Sequence, residues 1–291
     1  MPNKEIPKQV RDDRWRDFRV KLLAHAMNLI FPASCHNCDS NVSAEAVTSY
    51  FCTTCWQDIE WFNFPCCPQC GLPYPSEDNK PPSGQSTVGH LCGSCRNKPP
   101  CFDRAVSAGP YTGALSEAIK LFKYKKKVSL GKTLTEWALK SPLVENTLIS
   151  FHAPDDFHTL WGCPVYRADK AMSAKTLIVP VPLHVKRLRE REFNQSAIIA
   201  SVIGRRSGIP LLANVLIRHR HTMPQVELGG MDRRENVAGA FSIEDGSLIE
   251  GKEIILVDDV YTSGSTINEC SRVLKKNGAD KVYVVTIARM V

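Results

Sequence analysis

Eight cysteines in four Cys-x-x-Cys pairs constrain this chain before any other feature does. The pairs are Cys35/Cys38, Cys52/Cys55, Cys67/Cys70 and Cys92/Cys95, and ten of the twelve cysteines fall between Cys35 and Cys101. A two-residue spacer lets both sulfurs of a knuckle turn toward one ion, and two knuckles complete a tetrahedral zinc site of four thiolates. In CPQCG, Gly71 follows its knuckle where the chain needs positive φ. A disulfide framework belongs to secreted chains, and a redox pair is normally single and set on a βα turn. Two zinc ions held by eight thiolates account for all four pairs. Modules of this kind fold because of their metal, so the zinc is expected to be structural, with no coordination position left for a substrate. Sequential and interleaved pairings of the knuckles are both open. Sequential pairing closes the shorter loops at lower entropic cost. Cys66, Cys101, Cys163 and Cys270 read as ordinary thiols.

The opening segment lacks the apolar core and cleavage site of a secretory leader, and the chain has no run of about 18 apolar residues to span a membrane. With 43% hydrophobic and 23% charged residues, this predicts a soluble, cytoplasmic globular protein. A formal charge of +7 is compatible with an anionic partner without demanding one. Within residues 1–30, Trp15, Phe18, Leu22 and Leu29 recur at helical spacing among Arg14, Arg16, Arg19 and Lys21. This predicts an amphipathic helix ending near Pro32, either packed on its own domain or lying on a membrane surface. Ser76–Gly89 reads as a loop.

From Phe102 onward the pattern changes. RAVSAGPY (104–111) predicts a strand and turn, and GALSEAIKLFKYKK a helix with Leu115, Ile119 and Phe122 on one side. TLIVPVPL (176–183) predicts a buried strand closed by prolines, and NQSAIIASVIGRRSG a helix ended by Gly208. Short strands follow around 215–219 and 240–243, then a strand at Ile254–Val257, a helix from about Ser265 to Lys276 and a strand at 281–288. The alternation predicts an α/β domain over 102–291, a largely parallel twisted sheet with flanking helices, preceded by the cysteine-rich module at 31–101. Residues 146–175 show no periodicity and read as an irregular insertion.

The stretch IILVDDVYTSGST, Ile254 to Thr266, runs four apolar residues into Asp258 and Asp259 and then into a turn of small and hydroxylated residues. In parallel sheets, ligands bind beyond the carboxyl ends of strands. The turn Thr262-Ser263-Gly264-Ser265-Thr266 presents hydroxyls and N–H groups where a helix begins, and the helix dipole there favours a phosphate. Two carboxylates beside such a cradle suit a sugar phosphate, the acids accepting from adjacent ribose hydroxyls. Neither a Walker loop nor a G-x-G-x-x-G dinucleotide fingerprint is present.

These residues carry a resemblance. IILVDDVYTSGST resembles the signature by which type I phosphoribosyltransferases bind 5-phosphoribosyl 1-pyrophosphate (PRPP). From about Phe31 to Val291 the chain resembles the ComF family of competence-related proteins, which join a double zinc ribbon to a phosphoribosyltransferase domain. LCGSCRNKPPCFD, YTGALSEAIKLFKYKK, VPVPLHVKRLREREFNQSAIIA and RHTMPQVELGGMDRRENVAGAF support it in order along the chain. The resemblance implies that Asp258 and Asp259 hold the ribose 2′- and 3′-hydroxyls, and that Thr262 to Thr266 hold the 5′-phosphate. It makes Pro180-Val181-Pro182-Leu183 the pyrophosphate loop, with Arg187, Arg189 and Arg191 following it as partners for a diphosphate. It also implies a catalytic loop at about His219–Asn236 carrying Thr222, Gln225, Arg233 and Arg234, and Mg²⁺ entering with PRPP. One departure stands out. The family commonly has glycine where this chain has Glu192, which argues against a special backbone conformation there.

Two functions follow from the resemblance. One is transfer of phosphoribosyl from PRPP to an unidentified acceptor, in DNA uptake or the use of DNA as a nutrient. The other is a non-catalytic, PRPP-responsive single-stranded-DNA-binding factor working with competence-machinery proteins. KLFKYKKK, with lysines at 120, 123, 125, 126 and 127, and RHRH at 218–221 bear on the second. Phe122 falls in register with Leu115 and Ile119, which leaves Tyr124 as the candidate for stacking on an unpaired base.

Overall fold

An apolar strand without alternation predicts burial on both faces, and Glu253–Tyr261 fulfils it at the centre of the sheet. The computed structural model describes residues 33–63, 65–74, 90–151, 174–220 and 237–291. Its strands are β1 (Arg104–Pro110), β2 (Thr176–Pro180), β3 (Leu216–Arg218), β4 (Phe241–Ile243), β5 (Glu253–Tyr261) and β6 (Lys281–Arg289). Its helices are α1 (Thr53–Gln57), α2 (Gly93–Asn97), α3 (Gly113–Tyr124), α4 (Ser129–Leu139), α5 (Pro142–Ile149), α6 (Val185–Arg191), α7 (Gln195–Ser207) and α8 (Ser265–Lys276). The main sheet has the order β1-β6-β5-β2 with every pairing parallel. β3 and β4 form a separate antiparallel pair.

Side chains alternate across β5. Ile254 and Leu256 join Leu177, Val179, Val282 and Val284 in one buried cluster with Ile267, Cys270, Val273 and Leu274 of α8. α7 packs on β2 and β5, and α4 packs on α7 and α3. Leu115, Ile119 and Phe122 of α3 are buried, as their helical spacing predicts.

Besides the short knuckle helices α1 and α2, three helices, α4, α5 and α6, go beyond the sequence reading. Leu130, Leu134, Trp137 and Ala138 give α4 a buried face, but the helix follows directly on the lysine run and contains Gly131. α5 opens on Pro142, which fits a first helical turn because no intrahelical N–H is needed there. It carries residues 146–149 into a helix, where an irregular segment was expected. The helix expected before Pro32, the loop 76–89 and most of the stretch 146–175 lie outside the described residues.

The chain forms two compact units, Met1–Ile59 and Glu60–Val291. In the first, Phe51 is fully buried against Trp56. In the second, Cys67, Cys70, Cys92 and Cys95 belong to the same buried cluster as β5 and α8.

Gly131 lets α4 approach its neighbours. A Cβ there would lie 2.7 Å from Phe122 Cζ and 2.9 Å from Ile198 Cγ2. Helix propensity alone favours Gly131→Ala by about 1 kcal/mol, whereas overpacking a close-packed core costs about 1–3 kcal/mol. Gly131→Ala is expected to lower the midpoint of urea unfolding, and a raised midpoint would show that α3 and α7 yield to the extra methyl.

Candidate functional site

β5 outruns β2. Their pairing stops at Pro180 and Val257, while β6 accompanies β5 as far as Tyr261 and Arg289. The strand therefore does not end at Val257, as the sequence reading had it. The ladder to β6 continues through the two carboxylates, so Asp258 and Asp259 are strand residues with one flank open. Ligands of parallel sheets bind in such a crevice.

The acid pair is held from three elements. Asp258 Oδ1 accepts from Ser196 Oγ of α7 at 2.8 Å and from the Asp259 N–H at 2.9 Å. Asp259 Oδ1 lies 2.7 Å from Lys123 Nζ, in a largely buried ion pair with α3. Burial and the adjacent Asp259 carboxylate push the Asp258 carboxyl up to about 7, with Lys123 and Ser196 pulling the other way. Burial disfavours the Lys123 ammonium, but Asp259 more than offsets it, so its pKa stands above the ordinary lysine value. Lys123 belongs to the run read from sequence as a nucleic-acid face. Its neighbour in the run, Lys120, pairs with Glu117, and Lys126 pairs with Glu192.

A cavity of about 470 Å³ opens over the acids, lined also by Arg187, Arg191 and Arg218. Burial depresses the pKa of Arg187, and Arg191 beside it adds to the effect. Arg218 is depressed by burial and then by Arg187. Arg187 thus feels like charge from both Arg191 and Arg218, and the cavity they line would favour a polyanion. Pro182, Leu183, Thr262 and Thr266 also line it, whereas Arg189 is exposed and not part of it.

Arg191 to Gln195 each have a visible task. The Arg191 guanidinium stands 5.2 Å over the exposed Tyr124 ring and donates to Gln195 Oε1 at 3.1 Å. Phe193 stacks on Phe122 at 5.4 Å. Asn194 caps α7, accepting from the Ser196 N–H at 3.1 Å and donating to the Val181 carbonyl at 3.0 Å. Gln195 is buried, lines the cavity, and its Nε2 has no hydrogen-bond partner among the described residues. Glu192 corrects the sequence reading. It ends α6 in the left-handed region at φ 70°, the conformation that its not being glycine had argued against. Its amide closes the helix onto the Leu188 carbonyl and its carboxylate meets Lys126, in a conformation where a Cβ costs roughly 1–2 kcal/mol.

The turn after β5 is divided between two cavities. Thr262 and Thr266 face the acids. Ser263, Gly264 and Ser265, with Thr262 again, face a second cavity of about 430 Å³ whose far wall is Cys70, Cys92 and Cys95. Gly264 has φ 73° and opens α8 without a side-chain cap, which leaves the first-turn amides to the turn's own groups. Of the expected loop residues, Thr222, Gln225, Arg233 and Arg234 lie outside the described residues, although β3 and β4 do flank that segment.

The cysteines converge sequentially. Cys35, Cys38, Cys52 and Cys55 form one group and Cys67, Cys70, Cys92 and Cys95 the other, each with its sulfurs within 4.8 Å of one another. Cys38 Sγ lies 3.7 Å from Cys52 Sγ, and Cys70 Sγ 3.6 Å from Cys92 Sγ. A tetrahedron about zinc with Zn–S near 2.3 Å has edges of about 3.8 Å, so the donor sets fit the ion. Backbone amides point at the sulfurs, from Cys55 N–H to Cys52 Sγ and from Cys92 N–H to Cys67 Sγ, both at 3.4 Å. Zinc here is structural: four thiolates at each site leave no open position.

Two family models match the chain, the double zinc ribbon domain over residues 26–96 and the phosphoribosyl transferase domain over 196–290. Competence protein F of Haemophilus influenzae is 29% identical over 260 residues, covering 89% of this chain and 98% of that protein. DNA utilization protein YhgH of Escherichia coli K12 is 30% identical over 224 residues, covering 77% of this chain and 83% of that protein. The chain belongs to the ComF family. A more distant likeness, 26% over 164 residues, is to the transcriptional regulator GfcR of Methanosphaera stadtmanae. No helix among the described residues is long and apolar enough to cross a membrane.

Beyond the site residues expected from the sequence, the structure adds Lys123, Ser196, Gln195 and Arg218 to the cavity lining. Lys123 stood in the lysine run with nothing to set it apart from its neighbours. Gln195 and Ser196 stood inside the motif VPVPLHVKRLREREFNQSAIIA, whose spacing says nothing about the direction of their side chains.

Elemental analysis is expected to find about two zinc per chain. Cys35→Ser and Cys67→Ser should each lose one, and only Cys67→Ser should loosen the larger unit. The acid pair generates a prediction about pH. Asp258 has its folded pKa raised, so the native state binds the extra proton and stability falls as pH rises from about 4 to about 7. Asp258→Asn keeps an acceptor for Ser196 and removes that loss. It is expected to stabilise the protein by about 1 kcal/mol or more at pH 8 and to be neutral near pH 4. An equal thermal shift at both pH values would contradict the buried-acid account.

Proposed function

We propose that the acid-pair cavity binds PRPP and that the chain transfers its phosphoribosyl group to an acceptor amine or base. One observation carries this reading: an acid pair, three guanidiniums and the two threonines of a helix-opening turn line a single cavity. Asp258 and Asp259 accept from the ribose hydroxyls, and the turn Thr262 to Thr266 takes the 5′-phosphate. Arg187 and Arg191, beside Pro182 and Leu183, take the diphosphate. Lys123 neutralises the acid pair until ribose hydroxyls compete for Asp259, and the Gln195 Nε2 donor answers a ligand oxygen.

In the reaction, the bond from ribose C1 to the diphosphate oxygen breaks and its electron pair leaves with pyrophosphate. The acceptor nitrogen forms the new bond to C1 and gives up a proton. Positive charge develops on the sugar beside the carboxylates, and negative charge on the leaving group beside the guanidiniums. Preorganised groups stabilise both. Mg²⁺ bound to the diphosphate would neutralise further charge. Among the described residues only the two cysteine groups bring three or more His, Cys, Asp or Glu together, so that ion would arrive with the ligand's own oxygens.

We carry the role in the relatives' names, competence and DNA utilization, over to this chain. It would then act in DNA uptake or in the use of DNA as a nutrient. A second reading keeps PRPP as an effector and makes single-stranded DNA the partner. It is favoured by Tyr124, 63% exposed next to exposed Lys125, Lys126 and Lys127.

PRPP with Mg²⁺ is expected to raise the melting temperature, because a ligand that prefers the native state stabilises it by mass action. The double substitution Asp258→Asn, Asp259→Asn should abolish the shift while leaving a folded protein. Retained PRPP binding in that variant would refute the assignment. Pyrophosphate released only with a particular base present would select the enzyme reading. Salt-sensitive binding of single-stranded DNA, weakened by replacing Lys125, Lys126 and Lys127 with alanine, would select the second.

A further inference from the structure

The second cysteine site and the phosphate turn are joined by a short, buried relay. Arg289 is its central link. Its Nη1 donates to the carbonyl of Cys70 at 2.6 Å, and its Nη2 lies 3.8 Å from Cys70 Sγ. The same guanidinium stands 4.1 Å over the ring of Tyr261. Tyr261 in turn fills the space beneath Gly264: a Cβ on Gly264 would lie 2.4 Å from the Tyr261 hydroxyl oxygen. Tyr261 and Arg289 are register partners on β5 and β6, so the sheet fixes their spacing. Both are buried. A second tie runs in parallel, from the Cys101 N–H just after the ribbon to Asn268 Oδ1 in the first turn of α8, at 2.7 Å.

A charged side chain is buried where it has partners that repay its desolvation. The partners of Arg289 are a backbone carbonyl of a metal-binding knuckle and an aromatic ring. It makes no ion pair with a carboxylate among the described residues. With four thiolates on one ion, the second site carries net negative charge next to the guanidinium. Moving Cys70 therefore moves Arg289, and with it the ring on which the glycine of the phosphate turn rests.

We propose that Arg289 and Tyr261 are positioning residues that couple zinc at Cys67, Cys70, Cys92 and Cys95 to anion binding at the turn Thr262–Thr266. Each ligand then favours the arrangement that suits the other, and the effect is reciprocal. The first site, Cys35, Cys38, Cys52 and Cys55, belongs to the other compact unit and has no part in it. The anion side of this coupling rests on the PRPP reading given above.

The test is a competition titration of zinc against a chromophoric chelator, with and without PRPP and Mg²⁺. It is run on wild type and on Cys35→Ser, in which only the second site is complete. Saturating PRPP is expected to raise zinc affinity at the second site by at least about fivefold, the lower end of ordinary coupling. Affinity at the first site should be unchanged, which controls for metal binding by PRPP itself. Arg289→Lys keeps the charge but loses the forked contact, and should erase the PRPP effect. Tyr261→Phe, which removes only the hydroxyl against Gly264, should reduce it and serves where the arginine variant does not fold. An undiminished PRPP effect in the folded variants, or an equal effect at both sites, would overturn the coupling. If PRPP produces no thermal shift in wild type, it is the ligand assignment that falls. The coupling is then judged with inorganic phosphate as the anion and the same variants, and no change in second-site zinc affinity overturns it.

Discussion

The ladder between β5 and β6 beyond Val257 is the contact on which the site depends. β2 has already ended, so β5 past that point is held on one side only. That asymmetry leaves the carboxylates a flank open to a ligand while fixing their backbone as firmly as any strand residue. The same extension puts Tyr261 beside Arg289 and so brings the phosphate turn within reach of the second cysteine group. Had β5 stopped where its apolar run stops, the acids would sit on a loop and the turn would have no floor.

Like charges are gathered on each side of the cavity over the acid pair. Two adjacent carboxylates are kept together with the help of one lysine, and Arg187 shares the same lining with Arg191 and Arg218. Arrangements of this kind are sustained by the surrounding packing, and binding sites are where they are expected. A ligand with hydroxyls at one end and a polyphosphate at the other would satisfy both halves at once.

The sequence made the α/β architecture, the two cysteine sites and the acid pair legible, because each depends on local spacing. β5 and α8 were readable from an apolar run and a helical period, and the knuckles from a fixed spacer. What was not legible depends on where distant segments meet. Lys123 lies 136 residues before Asp259 in the chain, and nothing in KLFKYKKK singles it out from its neighbours. The extension of β5 through two acids contradicted their low strand propensity, because the partner strand supplies the ladder bonds. Glu192 adopted a backbone that favours glycine because the cap and Lys126 hold it there. The sharing of a core between the second cysteine group and the α/β domain was likewise hidden, since composition changes sharply at Phe102 while the packing does not.

The strand order has a consequence for how the chain is made. β6 follows every other strand of the sheet in sequence, yet it lies inside the sheet, between β1 and β5. A chain emerging from a ribosome amino-terminus first would present β1 with no neighbour to pair with until nearly the whole domain has followed, when Arg104 can meet Tyr283. Until then β1, and the outer flank of β5, expose unsatisfied ladder groups of the kind that invite wrong partners. Closure over so long a loop is intrinsically slow. The second cysteine group shares its buried cluster with β5 and α8, so its packing too is completed only once the carboxyl-terminal strands have emerged.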